Sequence, residues 1–277
     1  MNICIVGAGN IGTYLATYIS MKEGNKVWLH TSKPEVFKEE ITLVEEEKNL
    51  RHNVKVHSIT SSYEEAVKNA DYVLITYPSF MIEETLKKII PYLKKGTVVG
   101  VIPGFGGKEY LIDELLEKGC IFFGSQRVPS IIRLEKYGEC VLLKQKNEFM
   151  KLRVIPSKYS DKVCEVMTSF IDIPCLPLSN YLAITLSPSN PTMHPSRLYE
   201  LFNDYVEGEK VYPRNPYFYE EWGTLASQTL LDLDDELTEI FNSLNDNNEF
   251  YEEDMEKIKK RYGISTAEEV SEKINTA

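Results

Sequence analysis

The sequence predicts an α/β protein: a doubly wound parallel sheet over residues 1–178, followed by a short all-helical domain over residues 179–277. Three observations carry that expectation. The apolar strand "NICIV" runs directly into a glycine loop, "GAGNIG", and then into helical spacing at Ile11, Leu15, Ala16 and Ile19. Apolar strands then alternate with amphipathic segments as far as residue 126, the pattern of a parallel sheet covered on both faces. From about residue 179 the strand signals fade and the periodic segments have helical spacing.

The elements follow in order. "KVWLH" is the second strand. "PEVFKEEITLVEEEKN" (34–49) reads as a helix with Pro34 in its first turn, and "VKVHSI" alternates as a strand does. "SYEEAVKNA" is a short helix, and "DYVLITYP" is a buried strand stopped by Pro78. "EETLKKIIPYL" is amphipathic, "TVVGVIPG" is a further buried strand, and "KEYLIDELLEKG" is a helix ended by Gly119. "CIFFGS" is the next strand. "ECVLLKQ" and "FMKLRVIP" are expected to close the edge of the sheet, and "DKVCEVMTSFI" is a helix. In the second domain "PSRLYELFNDY", "EWGTLASQTLLDLDDELTEIFNSL", "YEEDMEKIKKRY" and "STAEEVSEKI" are helices, the first of them starting at Pro195.

Composition narrows the class. Hydrophobic content of 43% with 26% charged residues fits a globular chain with a real core. No window approaches eighteen consecutive apolar residues, and the start reads as a strand, not as a signal peptide. Cys4, Cys120, Cys140, Cys164 and Cys175 are scattered without a CxxC pair, which predicts reduced thiols in a cytoplasmic protein. The net charge of −11 is uneven: Glu200–Ala277 carries 20 acidic and 7 basic residues, whereas the remainder carries 22 and 24. An acidic C-terminal part argues against a nucleic-acid partner. His30, His52 and His57 have no metal-ligand spacing, and the run Asp232, Asp234, Asp235, Glu236 reads as a solvated helical face, so no metal is expected.

Gly7, Gly9 and Gly12 have GxGxxG spacing, here in the strand–turn–helix context that gives the motif meaning. Gly7 permits the turn, Gly9 admits a pyrophosphate to the backbone amides, and Gly12 lets helix pack on strand, with Asn10 and Ile11 supplying first-turn amides. The expected ligand is NAD or NADP. The second strand runs out as His30, Thr31, Ser32, Lys33 with no carboxylate for the ribose hydroxyls. Thr31, Ser32 and Lys33 suit a 2′-phosphate, so NADP is preferred. "TYPSF" and "PGFGG" put small or rigid residues after two buried strands; Tyr77, Pro78, Pro103 and Gly104 would let a dinucleotide lie across the strand ends.

The order "ADYVLITYPSFMIEETLKKIIPYLKKGTVVGVIPGFGG", "VPSIIR", "SNPTMHP" resembles the octopine/nopaline (opine) dehydrogenase family over roughly residues 1–245. Asn190, His194 and Pro195 match its most specific motif, Asn-x-x-x-His-Pro, while the glycine loop is shared with ketopantoate reductases among others. The resemblance implies a reductive condensation: a 2-oxo acid and an amino acid form an imine, which takes a hydride from the nicotinamide. It implies that His194 acts as acid or base on the substrate oxygen beside an acidic residue. That residue belongs to a Glu-Asp-Val-Pro segment for which this sequence offers only Glu268 and Glu269, in a stretch that also reads as a plain helix start.

With the helix starting at Pro195, His194 would sit at its N-terminus, where the dipole favours neutral imidazole; the alternative is a surface histidine. A substrate with two carboxylates calls for arginine, and the candidates are Arg127, Arg133 (matched in "VPSIIR") and Arg197, each with a surface ion pair as its rival reading. Asn190 would fix substrate, or form an Asx-turn before Pro191. Two other functions stay open: a 2-oxo acid reductase of the ketopantoate-reductase kind, and a non-catalytic NAD(P)-binding sensor. The apolar faces of the helical domain, read as a substrate and dimerisation unit, predict a homodimer.

Overall fold

Strand β1 (Asn2–Val6), helix α1 (Asn10–Ser20) and strand β2 (Lys26–His30) form the first β-α-β unit of a computed structural model. The structure describes residues 1–187, 190–209, 211–244, 254–255 and 257–276. The chain continues through β3 (Ile41–Glu45), β4 (Leu50–Val54), β5 (Ser58–Thr60), α2 (Tyr63–Val67), β6 (Tyr72–Ile75), α3 (Ile82–Ile89), β7 (Val98–Val101), α4 (Asp113–Glu117) and β8 (Ile121–Ser125). Then come β9 (Ser130–Lys136), β10 (Cys140–Lys146), β11 (Met150–Ile155), α5 (Ser160–Ile171), β12 (Cys175–Pro177) and α6 (Leu182–Thr185). The remaining helices are α7 (Asn190–Phe202), α8 (Thr224–Leu244), α9 (Ile258–Tyr262) and α10 (Ala267–Asn275). Met1–Ile184 form one compact unit and Thr185–Ala277 a second.

The main sheet of the first unit has the order β12-β11-β8-β7-β6-β1-β2-β5. From β5 to β8 neighbouring strands are parallel, and the order reverses between β1 and β6, the switch point where doubly wound sheets bind ligands. On one face Ile3, Ile5 and Leu29 pack with Leu15 of α1 and Phe170 of α5. On the other Val6, Val73 and Val99 pack with Leu86 of α3 and Leu115 of α4. Each such fully buried side chain contributes roughly 1.5–3 kcal/mol relative to an exposed one.

Two expectations are corrected here. Residues 34–49 are not a helix: after a short 3-10 turn at Pro34–Val36 they form β3, which turns into β4. Ile41, Leu43 and Glu45 face inward at period two, while the intervening residues are half-buried. Tertiary packing of Ile41 and Leu43 against α1 overrides the helical propensity of the glutamates. Glu45 is buried but held by Lys48 Nζ (2.7 Å) and His52 Nε2 (3.2 Å). Second, "ECVLLKQ" does not close the main sheet. As β10 it joins a separate four-stranded sheet, β4-β3-β10-β9, beside α1; β11 and β12 extend the main sheet instead.

The second unit is helical around Trp222, Leu230, Ile258, Val270 and Ile274. Trp222 Nε1 donates to Ser227 Oγ (2.9 Å), which lies 2.7 Å from Ser271 Oγ, so the buried polar atoms satisfy one another. Of the helix expected over 251–262, residues 251–253 and 256 lie outside the described residues and 258–262 form α9. No helix among the described residues is long and apolar enough to cross a membrane.

Candidate active site

The glycine loop sits where β1 ends, beside the end of β6. Gly7 has φ 107°, a conformation that favours glycine. A Cβ on Gly12 would lie 1.7 Å from the Gly7 carbonyl oxygen, so α1 can approach β1 only without one. A Cβ on Gly9 would meet nothing within 4 Å: the space above it is open. Gly9 caps α1 without a side-chain bond, and no acidic residue lies in the first turn. First-turn N–H groups therefore point into a cradle with positive potential, the arrangement that holds a pyrophosphate. The residues fit a dinucleotide on this observation.

The flanks of the cradle are built by long-range bonds. Thr76 Oγ1 donates toward the Gly7 carbonyl (3.1 Å), fixing the end of β6 against the turn. Tyr77 packs against Gly7, and its hydroxyl lies 3.3 Å from Nδ1 of His30. His30 is buried; its Nε2 faces the Ser61 carbonyl at 3.2 Å and its ring stacks on Tyr63. A carbonyl can only accept, so Nε2 carries the proton and Nδ1 accepts from Tyr77. Burial lowers the His30 pKa, partly offset by the Ser61 bond, and raises that of the Tyr77 phenol; both stay neutral at pH 7. This neutral chain occupies the end of β2, where a ribose-binding carboxylate would otherwise stand.

The next residues are dealt different tasks. Thr31 is buried and its hydroxyl lies 3.0 Å from that of Tyr137, in the turn between β9 and β10. Ser32 and Lys33 are exposed. The Asn10 side chain accepts from Leu134 N (2.7 Å) and so ties the second sheet to the start of α1, and Ile11 packs on the core. Pro78 is exposed; Pro103 is half-buried after β7, and Gly104 donates to the Ser125 carbonyl (2.7 Å), joining the ends of β7 and β8. Sequence reasoning did not single out Tyr137, Ser61 or the His30–Tyr77 pair, because nothing local marks contacts that span 31 to 106 positions.

The three arginines are separated. Arg127 is half-buried directly after β8, at the edge where the parallel strands end. Arg133 is exposed on β9, on the face opposite the buried Ile132, and its Nη1 donates to the Ile132 carbonyl (3.0 Å). Arg197 is 3% exposed in the second unit and forms an ion pair with Glu200; its Nη2 donates to the Tyr217 carbonyl (2.9 Å). Glu200 in turn accepts from Gly223 N (3.1 Å) and Ala226 N (3.2 Å), holding the first turn of α8. Arg197 thus braces its own unit. Arg197→Ala should cost about 3 kcal/mol, the low end for breaking a buried pair because two N–H groups still hold Glu200. Chemical denaturation would measure it.

His194 is not at the front of its helix. Asn190, which is exposed, opens α7, so the histidine lies one turn inside and Pro195 is an interior proline. Pro191 supplies the first-turn proline instead. The dipole argument for His194 therefore loses its footing, since the effect fades beyond the first turn. Half-buried, His194 has Nε2 3.2 Å from the Tyr219 hydroxyl and its ring edge-on to Phe218. Glu269, one echo of the acidic partner, is a helix cap: it accepts from Ser265 N (2.6 Å) and Thr266 N (3.1 Å) in a capping box.

A dinucleotide-type α/β unit followed by a helical unit is also the arrangement that the comparisons with known proteins find. Residues 3–142 match the family model for ketopantoate reductase PanE/ApbA, and residues 177–277 match that for the α-helical domain of NAD/NADP octopine/nopaline dehydrogenase. In its helical part the chain resembles the octopine/nopaline (opine) dehydrogenase family, while the ketopantoate reductase match spans half of the chain. It is 26% identical over 190 residues to opine dehydrogenase of Haliotis discus hannai, covering 66% of this chain and 46% of that protein. It is 25% identical over 189 residues to tauropine dehydrogenase of Arabella iricolor, covering 66% and 47%. The chain spans about half the length of the curated relatives it matches. A solved structure of octopine dehydrogenase in complex with NADH and agmatine superimposes with a TM-score of 0.82 over 100% of this chain and 74% of that one, at 19% identity, which shows a shared fold.

Proposed function

We propose that this chain is an NAD(P)H-dependent oxidoreductase of the opine dehydrogenase type, reducing the imine formed between a 2-oxo acid and an amino acid. The observation that carries the reading is the uncapped first turn of α1 with open space over Gly9, on a chain whose helical unit bears the Asn190–His194–Pro195 motif. When bound, the cofactor supplies a hydride. The backbone N–H groups of Asn10, Ile11 and Gly12 hold its pyrophosphate. Arg127 binds a substrate carboxylate and Asn190 a polar substrate group. His194 moves a proton at the substrate oxygen. A reducing, cytoplasmic setting is supported by five unpaired, buried cysteines. A homodimer is supported by Leu198, Tyr199 and Phe202, which expose one face of α7.

NADPH absorbance tests the reading, with a panel of 2-oxo acids offered with and without amino acids. Oxidation that requires both reactants is expected. Oxidation with the oxo acid alone would favour a ketopantoate reductase-like activity, which the match over residues 3–142 keeps in view. Cofactor binding with no turnover would mark a sensor.

NADPH is the preferred cofactor in this reading. With His30 turned inward onto Tyr77, no carboxylate at the end of β2 repels a 2′-phosphate, and Ser32 and Lys33 are exposed to meet it. A charge-assisted contact is worth about 1.5–3 kcal/mol, so Lys33→Ala should raise the NADPH KM about tenfold or more and leave the NADH KM unchanged. A lower KM for NADH than for NADPH in the wild type would sink this preference.

A further inference from the structure

The strand-end edge of the first unit carries two fully buried polar atoms without a hydrogen-bond partner, on adjoining segments. One is Oε2 of Glu109, on the 3-10 turn Lys108–Leu111; the other is Oγ of Ser125, the last residue of β8. The loop from β7 to that turn is fixed from two sides. Gly104 N donates to the Ser125 carbonyl (2.7 Å), and the Gly104 carbonyl accepts from the Tyr181 hydroxyl (2.7 Å). Phe105 (φ 51°) and Gly107 (φ 73°) bend it through two left-handed positions, a strained course for Phe105. Such strain and an unmet carboxylate oxygen both oppose folding, so their coincidence at the strand-end edge needs an explanation.

We propose that Glu109 receives the ammonium group of the amino-acid substrate and takes its proton. This rests on the opine reading, in which the amine is the cationic reactant. An ammonium offers three donors and no acceptor, which suits an acceptor left unmet. The proton balance is simple. An N–H bond of the ammonium breaks as an O–H bond forms on the Glu109 carboxylate. The freed nitrogen lone pair then forms the C–N bond at the carbonyl carbon of the 2-oxo acid as the C–O π pair moves onto oxygen, which takes the proton that His194 supplies. Burial raises the Glu109 pKa, opposed by a hydrogen bond from its own backbone N–H and by the neighbouring Lys108, with the neutral Tyr181 phenol close by. A raised carboxyl lies closer to the amine in basicity, which eases the transfer.

The test is Glu109→Gln in the full chain, with pyruvate, NADPH and neutral, basic and acidic L-amino acids. The ionised carboxylate is the active form, so kcat/KM for the amine should rise along an acidic limb above the ordinary glutamate range, and that limb should vanish in the variant. Glu109→Gln should lower kcat/KM for the amine about 100-fold or more, with the NADPH Kd, read by fluorescence, and the pyruvate KM within about twofold of wild type. Glu109→Asp should recover part of the loss. Unaltered amine kinetics in Glu109→Gln, with the wild type amine-dependent, overturn the role of Glu109 alone. A wild type indifferent to every amine overturns the opine reading and this proposal together.

Discussion

Gly12→Ala will abolish cofactor binding and strip away much of the stability of the first unit, while Gly9→Ala will cost little stability and act mainly by weakening the cofactor. The two glycines sit three residues apart in one loop, yet they meet different surroundings. The added Cβ at position 12 would stand 1.7 Å from the Gly7 carbonyl oxygen and 2.7 Å from Thr76 Oγ1. The first is backbone, so no rotamer change relieves the clash. α1 must lift from β1, and with it the packing of Leu15, Ala16 and Ile19. Overpacking of a well-ordered core costs typically about 1–3 kcal/mol, and a backbone clash at a helix–strand contact exceeds that. Position 9 is the opposite case: the Cβ enters open space, and glycine and alanine differ by only about 1 kcal/mol at a helix cap. That open space is where a pyrophosphate would approach the amides. Thermal melting with an NADPH fluorescence titration separates the outcomes. A normal melt for Gly12→Ala, or undiminished NADPH affinity in Gly9→Ala, would contradict this account of the loop.

What the sequence made legible depends on the range of the contact that decides each feature. The glycine turn, the buried strands "DYVLITYP" and "TVVGVIPG" and the helical second unit are set by local spacing, and the structure has them where the pattern puts them. The segment "PEVFKEEITLVEEEKN" failed as a helix because its strand pairs with β10, about a hundred positions away, as well as with β4, and packs Ile41 and Leu43 into the core, none of which local propensity encodes. The start of α7 was misread because two prolines compete for the first turn, and spacing does not say which of Pro191 and Pro195 wins. At the site, Arg133 and Arg197 could not be told from Arg127 by residue type. Burial separates them: one faces outward on β9, and one braces Glu200. Asn10 shows the same limit. Its place in the loop suggests a cofactor contact through its backbone amide; spacing does not show that its side chain is spent on Leu134 N.

His194→Ala should lower kcat by about 10²–10⁴-fold and leave the NADPH Kd unchanged. The geometry behind this differs from what the sequence suggested. The histidine lies a turn inside α7, so its orientation comes from side chains: the Tyr219 hydroxyl 3.2 Å from Nε2 and the edge-on Phe218 ring. A hydroxyl both donates and accepts, so it orients an imidazole without fixing which nitrogen carries the proton. A carboxylate partner would act differently, holding the ring in one tautomer and favouring its charged form. Glu269 is not available for that task, being committed to the backbone of Ser265 and Thr266. Tyr219→Phe is therefore the informative companion. If the hydroxyl orients the ring, its loss lowers kcat by a smaller factor than His194→Ala and changes substrate KM little. The pyrophosphate cradle is built from the glycine loop and the first turn of α1, which neither change alters, so cofactor affinity should change little. A His194→Ala variant that turns over at the wild-type rate would remove the histidine from the chemistry. One that loses NADPH affinity would show that it serves binding instead.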